Sequence, residues 1–128
     1  MSTIPTRLAH HEVAERRPFR THGSLTGREG RDVDTIGRLE PSDPVAVAIL
    51  ERRAAYVVLS YSTPIAVLTI DEGWLFTSRR FSTTTSKHQG IARYGASLSG
   101  LPSLDTASSA SRQHYIDTGA YLPFEVSA

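Results

Sequence analysis

Three runs of strand-forming residues lie within residues 54–78, and only a few residues separate each run from the next. The runs read AAYVVLSYS, PIAVLTI and WLFTS, and β-branched and aromatic residues dominate them. In the first run Tyr56, Val58 and Ser60 alternate with Val57 and Leu59, which predicts a strand with two distinct faces. Connections this short, including Asp-Glu-Gly at 71–73, predict hairpins and therefore a small three-stranded antiparallel sheet.

A helix is predicted on each side of these strands, which makes the fold class α+β. SDPVAVAILERRAA has a capping residue, Ser42 or Asp43, ahead of Pro44, and we expect that helix to end near Arg53. We place the folded core at residues 44–97. Residues 1–43 are predicted to be a flexible segment with a short helix in 1–17 that Thr6 could cap. Residues 98–128 are predicted to be a mostly irregular tail, in which HYIDTGAYLPFEV could add a late strand.

The second helix is predicted within FSTTTSKHQGIARYG, residues 81–95. Thr84 or Thr85 can cap its start, Ser86 and Gln89 have capping-box spacing, and Gly95 would end it after Tyr94. His88 falls on the same helical stripe as Ile91, Ala92 and Gly95, so its imidazole is predicted to face the sheet.

The start of this helix is the candidate binding site. Its first N–H groups lack intrahelical acceptors and carry partial positive charge, and hydroxyls and cations crowd the same point. Such a cluster suits a phosphate or carboxylate. The predicted anion or nucleic-acid site consists of Arg79, Arg80, Thr84, Thr85, Ser86, Lys87, His88, Gln89 and Arg93.

Composition excludes several other functions. The chain has no cysteine, which rules out disulfides and thiolate metal sites, and we predict no metal and no cofactor. The net charge is only +1, yet residues 73–104 carry four Lys or Arg and no acidic residue. No apolar run is long enough for a signal peptide or a membrane span, so we expect a cytoplasmic protein without a membrane partner.

Three functions remain open at this stage. The first is a non-enzymatic protein that binds nucleic acid or another polyanion. The second is a module that binds a host protein, with the hydroxyl run serving only as a helix cap. The third is a hydrolase of nucleotides or phosphodiesters in which His88 acts as the base. Because the sequence shows no carboxylate partner for His88 and no nucleophile elbow, binding ranks above catalysis.

The core also resembles a small uncharacterised domain found in proteins of bacteriophages, plasmids and actinobacteria. The resemblance covers residues 56–93 and rests on a Tyr-x-x-Pro-Ile-Ala segment, a tryptophan-bearing strand and a Ser-x-Thr-Thr-Ser-Lys-His-Gln segment. The matching positions are Tyr61, Thr63, Pro64, Ile65, Ala66, Trp74, Ser82, Thr84, Thr85, Ser86, Lys87, His88 and Gln89. Phe81 stands where that domain usually has tyrosine, and Val67 where tryptophan is common. The resemblance implies a setting in mobile genetic elements and no particular activity.

Overall fold

The structure, a computed structural model, describes residues 3–77, 79 and 82–101. Within them a six-stranded mixed sheet is flanked by three α-helices. The strands are β1 (Thr3–Ile4), β2 (Phe19–Thr21), β3 (Leu25–Glu29), β4 (Ala54–Ser60), β5 (Thr63–Thr69) and β6 (Gly73–Phe76). The helices are α1 (Ala9–Ala14), α2 (Pro44–Leu50) and α3 (Thr83–Leu98). Neighbours in the sheet follow chain order, and every pair is antiparallel except β1 and β2.

The α+β class is confirmed, but the prediction of a three-stranded sheet is wrong. β4, β5 and β6 are the three predicted strands, and β3 continues the sheet by pairing along its whole length with β4. β2 and β3 come from residues predicted to be irregular. Both strands are short, and each carries an exposed arginine, Arg20 in β2 and Arg28 in β3. Neither segment therefore has an apolar sequence, and for this reason both strands were missed.

Helices cover the sheet on both faces and divide the core into two clusters. On one face α1 and α3 pack over side chains that include Phe19, Tyr56 and Trp74. On the other face α2 and the preceding loop pack over Val57, Val67 and their neighbours. β5 is thus covered on both sides, as its continuous apolar sequence predicts.

The hairpin between β4 and β5 has a two-residue turn. Only Tyr61 and Ser62 connect the strands, and Tyr61 has a left-handed φ of 57°, which two-residue hairpin turns require. Gly73 has a left-handed φ of 75° at the β5–β6 turn, a conformation that glycine adopts without strain. The result brings Ser60, the last residue of β4, to the edge of the core beside α3.

α2 begins as predicted and ends earlier. Asp43 is the cap, and its Oδ1 accepts a hydrogen bond from the Val45 N–H at 2.9 Å. Its Oδ2 accepts another from the Thr77 hydroxyl at 2.7 Å, which ties the end of β6 to α2. The helix ends at Leu50, because Arg52 turns left-handed with φ of 60°.

α3 differs from the prediction at both ends. Its cap is Ser82, whose Oγ accepts the Thr85 N–H at 3.1 Å, so Thr84 and Thr85 lie inside the helix. Gly95 does not end it. A Cβ at Gly95 would lie 2.6 Å from Val13 Cβ and 2.8 Å from the His10 carbonyl oxygen, so this glycine allows α1 and α3 to approach closely.

The structure describes nearly all of the N-terminal flank and only the first residues of the C-terminal flank. The predicted N-terminal helix is a 3-10 turn over Thr6–Leu8 followed by α1, and no side chain, Thr6 included, caps it. Residues 102–128, with the expected late strand, lie outside the described residues. Within the described part of the chain, no helix has the length and apolar character needed to cross a bilayer.

Candidate functional site

A hydrogen-bond network of four polar side chains joins the start of α3 to the end of β4. The Ser82 hydroxyl donates to Thr85 Oγ1 at 3.2 Å, and Thr85 Oγ1 lies 3.2 Å from Ser60 Oγ. Ser60 Oγ in turn lies 2.7 Å from Nδ1 of His88. Ser60 is 1% exposed and His88 4% exposed, so most of this hydrogen-bond network is buried. The inward orientation predicted for His88 is confirmed.

One consistent arrangement of these hydrogen bonds, in which Ser60 donates to His88, favours one tautomer of the imidazole. Since Thr85 Oγ1 accepts from Ser82, its own proton is available to Ser60, and the Ser60 proton is then available to Nδ1. In this arrangement Nδ1 is the acceptor and Nε2 carries the hydrogen. Burial lowers the pKa of His88, which favours this neutral form. Among the described residues, Nε2 has no hydrogen-bond partner.

Gln89 fixes the segment that leads into α3. Its Nε2 donates to the Arg79 carbonyl oxygen at 2.9 Å and to the Thr77 carbonyl oxygen at 3.4 Å. The amide thus bridges α3 and the end of β6, and it does not complete the capping box expected with Ser86. Its role in this structure is to position the approach to the helix.

The predicted cations do not converge on one point. The Arg79 guanidinium donates to Glu40 at 3.1 Å and to the Arg38 carbonyl oxygen at 3.3 Å. The Arg93 guanidinium carbon lies 4.4 Å from the centre of the Phe76 ring, a cation–π contact further along the helix. Lys87 is exposed in the second turn of α3, near the exposed hydroxyls of Thr83 and Thr84. Arg80 lies outside the described residues.

Two residues of the site were not predicted, namely Ser60 and Ser82. A signal existed for Ser60, because the alternation in β4 places it on the inner face beside Tyr56 and Val58, where it is the polar member. Ser82 was hidden by the threonines that follow, each of which is an equally good cap by residue type. Only the backbone conformation separates them, since Ser82 is extended with φ −158° and ψ 169°.

The Ser60–His88 contact has the spacing of a nucleophile and its base, but its burial argues for another role. An attacking hydroxyl must reach a substrate atom, and Ser60 is enclosed by β4, β5 and α3. The unpartnered Nε2–H of His88 can instead donate one hydrogen bond to an acceptor. Among residues 3–77, 79 and 82–101, no three His, Asp or Glu side chains cluster closely enough to hold a metal ion.

Comparison with known proteins identifies the family. The model of a family of unknown function, DUF8033, matches residues 19–102. The chain belongs to DUF8033. The match begins at β2 and extends past the end of α3, so the DUF8033 unit contains β2 to β6 together with α2 and α3. No curated protein and no solved structure matches the chain.

Proposed function

We propose that this DUF8033 protein binds nucleic acid or another polyanion by holding a phosphate at the N-terminal end of α3. The observation that carries the proposal is the Nε2–H of His88, a buried donor with no partner among the described residues. Buried polar groups are nearly always hydrogen-bonded, so such a donor calls for an acceptor, and a bound ligand can supply one. A phosphate oxygen is an acceptor of the required kind.

The surroundings of α3 favour an anion. The first turn contains no acidic residue, and the helix dipole places partial positive charge at this end. The hydroxyls of Thr83 and Thr84 and the ammonium of Lys87 are exposed and can contact a phosphate. Arg79 contributes less than the sequence implied, because Glu40 neutralises part of its charge.

The proposal describes binding without turnover, since Ser60, the only hydroxyl among the described residues in hydrogen-bond contact with His88, is too enclosed to attack a substrate. It also includes the setting that the sequence resemblance implies, an accessory protein of a phage or another mobile element that works in the cytoplasm. In that setting the ligand is a nucleic-acid strand whose phosphates supply most of the affinity.

The test is the salt dependence of oligonucleotide binding. Fluorescence anisotropy measures this binding with three labelled probes: a DNA single strand, a DNA duplex and an RNA. Affinity should fall steeply with salt, and Lys87→Ala should weaken binding and reduce the slope of log K against log salt by about 0.7 for a single strand. Arg28→Ala removes an equal charge from the exposed surface of β3 and is the matched control. Absence of binding to all three probes at low salt would contradict the proposal.

A further inference from the structure

The opposite end of β4 carries a second recess, far from the start of α3. A groove of about 500 Å³ lies on the α1 side of the sheet and includes Arg16, Ala55 and Leu68 in its lining. A smaller recess of about 190 Å³ lies on the α2 side and includes Arg52. Both are lined by Arg31 and Ala54, so together they wrap around the end of the sheet.

The floor of the groove is made of small and apolar groups. A register irregularity at Ala54–Tyr56 interrupts the pairing of β4 with β5, and the small side chains of Ala54 and Ala55 line the groove there. Leu68 and Tyr56 complete the apolar part. The volume lies within the usual range for small-molecule sites, and the charged side chains of Arg16, Glu29 and Arg31 stand beside the apolar part.

Arginine occupies the same unusual position at the ends of α1 and α2. Arg16 and Arg52 have left-handed φ values of 54° and 60°, and each donates its N–H to the carbonyl oxygen three residues back, Val13 and Ile49 respectively. Glycine is the usual residue at this step, because a Cβ is strained there. Both helices therefore end with an arginine at a position where glycine would have less backbone strain. Arg16 lines the larger recess and Arg52 the smaller one.

One carboxylate, that of Glu29, lines the groove itself, and other nearby carboxylates pair with arginines outside it. Arg53 pairs with Glu51, Asp71 and Glu72, and Arg17 pairs with Glu12. Within the described part of the chain, no carboxylate oxygen lies within 4.0 Å of the Arg16 or Arg52 guanidinium, and Arg16 Nη1 donates to the Ala14 carbonyl oxygen at 2.6 Å. Arg31 pairs with Glu29 at 2.7 Å, but its side chain is 81% exposed and can turn toward a ligand.

We propose that this groove binds a small organic anion, namely a flat apolar group that carries a phosphate or carboxylate. The flat group would lie on Ala54, Ala55 and Leu68. The anionic group would accept hydrogen bonds from Arg16 and Arg31 on the α1 side of the sheet, or from Arg52 on the α2 side. The site is independent of the proposed polyanion site, because the two lie at opposite ends of β4.

The test is isothermal titration calorimetry of the full chain with AMP and phenyl phosphate, each of which joins a flat group to a phosphate. Adenosine and inorganic phosphate supply the two parts separately. We expect AMP or phenyl phosphate to bind with a Kd of about 1 mM or tighter, and the separate parts at least about tenfold more weakly. Lys87→Ala should leave this binding unchanged, which separates failure of this proposal from failure of the polyanion site.

Arg16→Gly, Arg52→Gly and Arg31→Ala should each weaken binding of the organic phosphate, and at least one by about tenfold, the loss expected for one charge-assisted hydrogen bond. The two glycine variants suit the left-handed backbone, so loss of affinity cannot be ascribed to unfolding. Arg7→Ala removes an equal charge from an exposed site outside the groove and is the control. The proposal is overturned if neither organic phosphate binds, if inorganic phosphate binds equally well, or if the three arginine variants behave like Arg7→Ala.

Discussion

The hydroxyl oxygen of Ser60, the last residue of β4, lies 2.7 Å from Nδ1 of His88 in the second turn of α3. This contact joins the sheet to the helix at the point where the candidate site lies. In the arrangement in which Ser60 donates to Nδ1, the contact also sets the tautomer of the imidazole, because Nε2 then carries the hydrogen. Under the proposed function, stability and binding therefore depend on the same pair of residues.

Replacement of Ser60 should destabilise the fold. Ser60→Ala leaves Nδ1 of His88 and the Thr85 hydroxyl without their buried partner, and we expect the free energy of unfolding to fall by about 1–3 kcal/mol. Ser62→Ala is the matched control, since Ser62 is exposed in the adjoining turn and should change stability by less than about 0.5 kcal/mol. Urea unfolding followed by tryptophan fluorescence measures both; equal effects would show that the Ser60–His88 contact contributes nothing.

The stability of the protein should depend on pH through His88. Burial lowers the pKa of His88 below its ordinary 6.5, so the unfolded chain binds a proton more readily than the folded one. The contribution of neutral His88 is therefore complete above about pH 6.5 and is lost as pH falls through the lowered pKa. His88→Gln should flatten this dependence, as measured by urea midpoints at pH 7.5 and pH 5. The other histidines are common to both proteins, so parallel curves would refute the assignment.

Two glycines of α3 should respond oppositely to the same substitution. Gly95→Ala places a Cβ against Val13 and the His10 carbonyl, and we expect a loss of about 1–3 kcal/mol in the free energy of unfolding. Gly90→Ala meets nothing within 4 Å and should raise stability by up to about 1 kcal/mol, the difference in helix propensity. Thermal unfolding of the two variants compares them directly. A gain in both would mean that α1 does not pack closely on α3.

Local signals in the sequence were sufficient for the centre of the fold. Alternation identified β4, the Asp43-Pro44 pair marked the start of α2, and helical spacing placed His88 inward. These features are determined by residues close to one another along the chain, which is the range over which sequence patterns are informative.

Features that depend on distant contacts could not be predicted in this way. Gly95 looks like a helix stop, and only the position of α1 shows that it serves close packing. Gly27 in β3 likewise weakens the strand pattern, although a Cβ there would collide with Phe19 and the Tyr56 hydroxyl. At the site, neither the pairing of Arg79 with Glu40 nor the hydrogen bond between Ser60 and His88 follows from sequence spacing.

The most direct test of the account is an NMR titration that observes the imidazole nitrogens of His88 while a single-stranded oligonucleotide is added at low salt. At pH 7.5 the free protein should show the Nε2–H tautomer. On addition of the oligonucleotide, Nε2 and the backbone amides of Thr83, Thr84 and Lys87 should shift together and saturate. An Nδ1–H tautomer, or an oligonucleotide that binds while His88 and these amides stay unchanged, would contradict the account.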